Sequence, residues 1–478
     1  MTTLLMGIDV GTSSVKLVTT DLQGRRRGEA SLRYPTSTSG TGAEQDASTW
    51  WDAVTKLSPE VITAGDTVAA IAVTSQAPTL VPVDASGNPT MNALTWLDRR
   101  AKVEAERIAA LAPTSRNGAD PFFGTAKLPW LAHHRPDALE NARYVLSANG
   151  FIVHKLTGVA VLDETTASLM QGFDETTNQF HERLMADEPT MSLLAPIVSP
   201  TKIVGYVTAE AAAATGITAG APVAAGGIDA IGSALEAGVV AIGDPLVDMT
   251  GFSSVTILVV PRGTYVPGFM HSRHCVPGLD LLMTAQVTAG ATIDWVNGLD
   301  TSTDLRLDLA IHTRPRPGRI IMVPSLAGER TPSWDTHARG IIDGIDLATD
   351  PTDLMLAAME GNAFAMAADV VTLRNQGLVI DNVICTGGGS TSPAWMQIKS
   401  DVLGVPITKP SSGHGAAQGA AALAGVAIGV HESFDAVKSL AATVEARYSP
   451  DLQLTDAYAD AAARFTEVRQ LNATRQTP

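Results

Sequence analysis

The stretch MGIDVGTSSVKLV, Met6 to Val18, decides how the rest of this 478-residue chain is read. An apolar run ends in Asp9, passes through Gly11 and the hydroxyl residues Thr12, Ser13 and Ser14, and returns to apolar character. That pattern spells strand, tight turn, strand. Leu4–Asp9 forms the first arm, Val15–Asp21 the second, and a turn at LQGR leads to a third strand over Arg26–Tyr34 that completes a meander. Two readings of the first turn stand side by side. It is an ordinary Asp-x-Gly hairpin turn, or it is a phosphate loop in which Gly11 lets backbone N–H groups approach an anion, the hydroxyls add donors and Lys16 adds charge. On the second reading Asp9 can hold Mg²⁺ against a polyphosphate, directly or through water. A Walker loop, G-x-x-x-x-G-K-[ST] ahead of a helix, occurs nowhere in the chain.

Working outward, the 45% hydrophobic content and the length support two or three cores, because single cores rarely grow past roughly 250–300 residues. The formal charge of −16 at pH 7 argues against nucleic acid or an anionic membrane as a general partner, so any bound phosphate must be held by local donors. Cys275 and Cys385 lie far apart, and the N-terminus has neither a basic n-region nor a long apolar h-region. The Ala- and Gly-rich stretches read as too short or too interrupted for membrane spans. The expectation is a reduced, soluble, cytoplasmic protein.

Helical patterns at Ser48–Pro59, opened by a Ser cap, and at Leu97–Leu111 flank a buried strand over Val68–Gln76. Such alternation implies α/β layers. Ala221–Val240 reads as a strand, a Gly-Gly turn and a helix beginning close to Asp229. The opening motif then recurs: Gly11-Thr-Ser-Ser-Val15 is matched by Gly251-Phe-Ser-Ser-Val255, again followed by an apolar strand pattern. The second half continues with a strand Arg319–Pro324, a long helix Pro351–Gln376, a strand Asn382–Gly389, and helices from Pro393, Gly415 and Leu452. The boundary falls near Gly243, dividing the chain into 1–243, 244–440 and a C-terminal helical segment 441–478.

Three further segments carry chemistry-bearing residues. Asp229 is either an N-terminal capping aspartate or a general base that takes a hydroxyl proton during attack on phosphorus. CTGGGSTSPAW (Cys385–Trp395) is either a flexible loop or a bed of bare backbone for a flat ligand beside a helix N-terminus. HSRHC (His271–Cys275) offers metal-ligand types, but no second cluster has matching spacing, so zinc is not expected. His133 and His134 read as surface or interface residues.

Taken together, the motifs resemble the FGGY family of carbohydrate kinases, and within it the xylulokinases most, over almost the whole chain. GIDVGTSSVK is similar to the family's first phosphate motif, WLDRRA (Trp96–Ala101) to its W-x-D-x-R element, and GGID to its catalytic-aspartate segment. GERTPSWDTHARG (Gly328–Gly340) resembles its G-E-R-T-P block, Gly340–Gly361 its second signature, and Thr386–Ile407 its adenosine motif. The resemblance implies an α/β fold of two actin-like (ribonuclease H-like) ATPase domains around a central cleft, with ATP and Mg²⁺ as cofactors and a homodimeric assembly. It further implies Asp229 as the base and Asp9 as the Mg²⁺-linked carboxylate. Gly11, Thr12, Ser13 and Lys16 would form the first phosphate loop, Gly251 and Ser253 the second, and Gly387, Gly388, Gly389 and Ser392 the adenosine pocket. Gln76, Ala77, Pro78, Trp96, Asp98 and Arg100 would face the sugar.

The implied reaction is transfer of the ATP γ-phosphoryl group to a primary hydroxyl of a ketopentose such as xylulose. Ribulose, erythritol, glycerol, a sugar acid, or a non-kinase actin-like ATPase are the alternatives. Three departures qualify the likeness. TSQAPT (Thr74–Thr79) stands where xylulokinases carry S-G-Q-M-H-G, which replaces a Met-His pair by Ala77-Pro78; Ala230 follows Asp229 in place of Asn or Gln; and Phe252 replaces a threonine of the second phosphate loop. The signature around FFGTAKLPWL (Phe122–Leu131) fits in part.

Overall fold

The structure, a computed structural model, describes residues 2–299, 314–411, 415–441 and 443–474; positions 442 and 475–478 of the expected C-terminal segment lie outside the described residues. Thr3–Val10 and Ser14–Asp21 form the expected hairpin, with Asp9 opposite Lys16 and Val10 opposite Val15, and Arg26–Arg33 completes the meander. Thr67–Ser75 joins the first strand in parallel, Pro222–Ala224 joins Thr67–Ser75 in parallel, and Ile203–Tyr206 closes that edge antiparallel.

A second sheet repeats the plan. Leu246–Thr250, Ser254–Pro261 and Leu279–Gln286 form its antiparallel meander; Val383–Thr386 and Ile407–Pro410 follow in parallel, and Val444–Tyr448 closes the edge antiparallel. The short motif echo noticed in the sequence is therefore the visible part of a repeat of the whole sheet, with Met270–Arg273 added beside Leu279–Gln286.

Two helices lie between the sheets. Asp229–Glu236 and Ala416–Ala427 share one apolar cluster with Leu5, Ala72, Val247 and Ile257, residues drawn from both sheets. They cross closely, because a Cβ on Gly419 would lie 1.8 Å from the Gly232 carbonyl oxygen. A helix from late in the chain is thus seated against the first sheet, where a Cβ on Gly7 would meet the Ala417 carbonyl.

Some local expectations shift. The Ser48–Val61 helix has Ala47 at its N-cap with no side-chain cap bond; Asp46 instead accepts from the Ser48 N–H at 2.9 Å. The helix expected from Leu97 starts at Lys102, because the preceding residues are held in a loop: Asp98 accepts from Ala43 N–H at 2.9 Å, and Arg99 N–H donates to the Thr41 carbonyl at 2.8 Å. The helix Pro351–Asn375 is long enough to cross a membrane and contains an 18-residue stretch of mean hydropathy 1.4, which the sequence reading did not anticipate; 72% of that stretch is buried inside the protein. Its Met355, Met359 and Met366 pack with Val383 and Trp395, as in a core helix. The segment after 440 is not helical alone: Val444–Tyr448 is a strand of the second sheet, and Thr455–Thr474 is the helix. Both cysteines are buried and unpaired.

Candidate active site

The hairpin turns of the two sheets open onto one cleft of about 480 Å³. Asp9, Thr12, Ser13 and Lys16 line it from the first turn; Gly251 and Ser253 line it from the second. Asp229, Ala77, Trp96 and Gly387 also border it.

Asp229 arrives there through the Gly-Gly turn. Gly226 has φ 72°, and a Cβ on it would lie 1.8 Å from the Val73 carbonyl, so only glycine lets the chain pass this close to the strand Thr67–Ser75. Gly227 and Ile228 then pair with Thr74 and Ser75, and Asp229 becomes the first residue of its helix. Ile228 occupies the N-cap and makes no side-chain cap bond. Burial, with the neighbouring Asp9 carboxylate adding to it, raises the Asp229 pKa to about 7.

Asp9 is likewise half-buried, and desolvation lifts its pKa to about 6 against the opposing effects of the Thr74 hydroxyl and Lys16. The Thr74 Oγ1 donates to Asp9 Oδ1 at 3.0 Å. Two carboxyls thus face one cleft in a setting that resists placing both negative charges there together. Such a pair suits a site that receives a cation or gives up a proton.

The first turn is braced from behind. Gly11 N–H donates to the Ser14 carbonyl at 3.0 Å, Tyr34 donates its hydroxyl to the Gly11 carbonyl, and Gln45 Nε2 donates to the Thr12 carbonyl at 2.7 Å. Trp96 Nε1 donates to Thr12 Oγ1 at 2.9 Å. Gln76 joins this brace, its side-chain amide donating to Gln45 Oε1 at 2.6 Å and its backbone N–H to the Val10 carbonyl at 2.8 Å.

The second turn is not a copy of the first. Here Thr250 pairs directly with Ser254, so the connection is one residue shorter, and Gly251 N–H donates to Ser253 O at 2.8 Å. The register places Met249 in the cleft lining where the first hairpin places Asp9. Asp248 points into the core, accepts from Ser254 Oγ at 2.7 Å and pairs with the buried Lys399. Phe252, at the tip, is 72% exposed.

Several expected sugar-side and nucleotide-side residues lie outside the cleft lining. Asp98 and Arg100 pair with each other, Arg100 also pairs with Glu44 at 2.7 Å, and its guanidinium covers Trp130. These contacts order the loop that carries Trp96. Pro78 supplies its carbonyl to the buried Lys127 Nζ at 3.3 Å. Gly388 and Gly389 open the short 3-10 turn Gly388–Thr391, and Ser392 caps the helix Pro393–Leu403 by accepting from Trp395 N–H. The His271 and His274 rings accept backbone N–H bonds from Val266 and Val276.

Sequence reasoning missed Arg330. It lies in the block quoted above, lines the cleft, and places its guanidinium over Trp96 and Phe122. Nothing in a run of charged and turn-forming residues marks which arginine turns inward.

Two family models cover most of the chain: the FGGY carbohydrate kinase N-terminal domain over residues 4–235 and the C-terminal domain over 250–428. A xylulose kinase of Streptomyces coelicolor is 30% identical over 88% of this chain and 87% of its own. A glycerol kinase of a Janthinobacterium species is 28% identical over 91% and 92%. Among solved structures, the xylulose kinase of Rhodospirillum rubrum superposes with a TM-score of 0.87, at 26% identity and 98% coverage of both chains. With the repeated sheets, the paired hairpin turns and the cleft between them, these matches make the chain a member of the FGGY family of carbohydrate kinases.

Proposed function

We propose that this kinase transfers the γ-phosphoryl group of ATP to a primary hydroxyl of a small polyhydroxylated acceptor, with Asp229 as the general base. The observation that carries this reading is the meeting of Asp229 and Asp9 in a cleft bounded by two hydroxyl- and glycine-bearing turns. A base with a pKa near the working pH combines availability with driving force for proton transfer, and that of Asp229 is raised to about 7. The acceptor hydroxyl would lie against Asp229, while the turns at Gly11–Ser13 and Gly251–Ser253 hold the phosphates and the backbone at Gly387–Gly389 receives the adenosine. Mg²⁺ suits Asp9, a half-buried carboxylate whose charge Thr74 and Lys16 compensate only in part; when bound, the ion would neutralise charge on the phosphates. Positioning and charge compensation supply most of the rate in such reactions, and closure of the two bodies would keep water from the phosphoryl group.

The names of the relatives favour xylulose as the reference acceptor. Ala77, Pro78 and Ala230 lack the side-chain donors of the xylulokinase pattern, so ribulose, erythritol, glycerol and sugar acids belong in the same panel. We further propose a cytoplasmic homodimer divided near Gly243. ADP release from Mg-ATP with ketoses, alditols and sugar acids tests the reading. Hydrolysis of ATP at one rate whatever the acceptor would instead identify a non-kinase ATPase.

A further inference from the structure

The wall beside Asp229 offers an acceptor few side chains to hydrogen-bond to. The parallel register sets Gly227 beside Thr74 and Ile228 beside Ser75. Both chains then run on into the cleft lining, as Ala77 from one and Ala230 from the other, each two residues beyond the last pair. Phe122, Leu169, Met270 and Met283 continue that lining. All of these belong to, or pack against, the apolar cluster that Asp229–Glu236 shares with Ala416–Ala427, so the wall is a face of the core.

The polar side chains close by in sequence are engaged elsewhere. Gln76 gives its amide to Gln45, Asp98 is held by Arg100 and the Ala43 N–H, and Trp96 Nε1 donates to Thr12 in the first turn. Among the described residues, the remaining polar side chains of the lining outside the two hairpins and Thr386 are Asp229, Ser233 and Arg330. On the proposed reading Asp229 takes the reacting hydroxyl. Ser233 lies one turn farther along the helix, and Arg330 is seated over Trp96 and Phe122.

A hydroxyl pressed against Ala77 and Ala230 gives up water and gains no side-chain partner, which is unfavourable. A hydrogen or methyl group in that place buries apolar surface, which is favourable. These are also two of the positions at which the chain departs from the xylulokinase pattern, each by loss of a larger side chain.

We infer that the acceptor of this kinase is a deoxygenated polyol, one that keeps a primary hydroxyl for Asp229 and presents hydrogen or methyl, in place of a sugar hydroxyl, to Ala77 and Ala230. The inference rests on the proposed kinase reading and narrows its acceptor class. A longer, fully hydroxylated chain is the competing occupant of the same space.

The test measures kcat/KM with Mg-ATP for matched pairs that each keep a primary hydroxyl: xylulose with 1-deoxyxylulose, ribitol with 2-deoxyribitol, and mannitol with 1-deoxymannitol. In at least one pair the wild type is expected to favour the deoxy member by about ten-fold or more, within the range by which an apolar pocket rejects an added hydroxyl. Ala77→Ser and Ala230→Ser each place a hydroxyl on the wall. Each should lower that ratio roughly five-fold, the size of one neutral hydrogen bond gained by the parent, with the KM for ATP unchanged. The wild-type ratios need no variant to fold, and thermal melts control for the variants. Absence of that preference in every pair overturns the inference and leaves the kinase reading standing. So does an unchanged ratio in both folded serine variants, or mannitol as the best acceptor of the six, which would assign the space to a longer hydroxylated chain. Failure of the wild type to phosphorylate any acceptor overturns both.

Discussion

Asp9 and Asp229 share a cleft in which desolvation raises both pKa values, to about 6 and about 7. As a base, Asp229 acts only when ionised. We therefore expect kcat/KM to climb about ten-fold per pH unit below about 7 and to level off above it. A pH–rate profile flat from pH 5.5 to 8.5 would assign the proton transfer elsewhere. Asp229→Asn should cut turnover at least about 100-fold while calorimetry finds nucleotide binding little changed. The same substitution should stabilise the empty protein at high pH. The folded-state pKa of Asp229 is raised, so its contribution to stability is present at low pH and is lost as pH rises through about 7. Asparagine has no such loss, so the advantage of Asp229→Asn in melting temperature should be largest at pH 8, smaller at pH 5, and gone only below the unfolded carboxyl value of 3.8.

At the scale of elements, the hairpins show how one short motif serves two roles. The echo GTSSV and GFSSV was legible as text, and in both hairpins the residue two before the turn glycine lines the cleft, although the second turn is one residue shorter. Asp9 enters from the first and Met249 from the second, while Asp248 is taken into the core by Lys399. Phe252 stands exposed at the shorter tip. Restoring a hydroxyl there with Phe252→Thr should lower the KM for ATP, with a stability change within about 0.5 kcal/mol, as usual for exposed sites; steady-state kinetics and denaturant titration check both. The crossing of Asp229–Glu236 and Ala416–Ala427 is less forgiving. Gly419→Ala puts a methyl group 1.8 Å from the Gly232 carbonyl, a backbone atom with little room to yield, so a loss of about 3 kcal/mol or more is expected in denaturant unfolding.

Across the whole molecule, pH acts on two opposed sets of buried groups. Asp229, Glu360 and Asp369 have folded-state pKa values raised to about 7, so each loses its stabilising contribution as pH rises through that value. His271 and His274 are depressed to about 3 and about 4, and they add stability as pH rises from those values to the ordinary histidine range. At pH 6.5 each unfolded-state histidine still holds about half a proton, whereas each of the three carboxyls still holds most of a proton in the folded state and almost none in the unfolded one. The melting temperature of the empty protein should therefore fall between pH 6.5 and pH 8. Differential scanning calorimetry across that window checks the direction; a rise would mean the carboxyls are compensated.

What the sequence determined by itself was the local grammar. Alternating strand patterns, the Gly-bounded turns at Gly11 and Gly251, and the strand–Gly-Gly–helix unit ending in Asp229 are set by steric and periodic rules acting over a few residues. The family likeness was carried by the same short stretches. Only the tertiary structure decided which side chains reach the cleft. Asp98 and Arg100 look like ligands in a motif, yet they satisfy each other, Ala43 and Glu44 while ordering the Trp96 loop. Arg330 looks like one charge among several, yet its guanidinium is buried over Trp96 and Phe122 and makes no ion pair among the described residues. Ala416–Ala427, distant along the chain, closes the core beneath the first sheet. The reason is physical: solvation and pairing depend on what folds alongside a residue, and that is set by contacts between segments hundreds of positions apart.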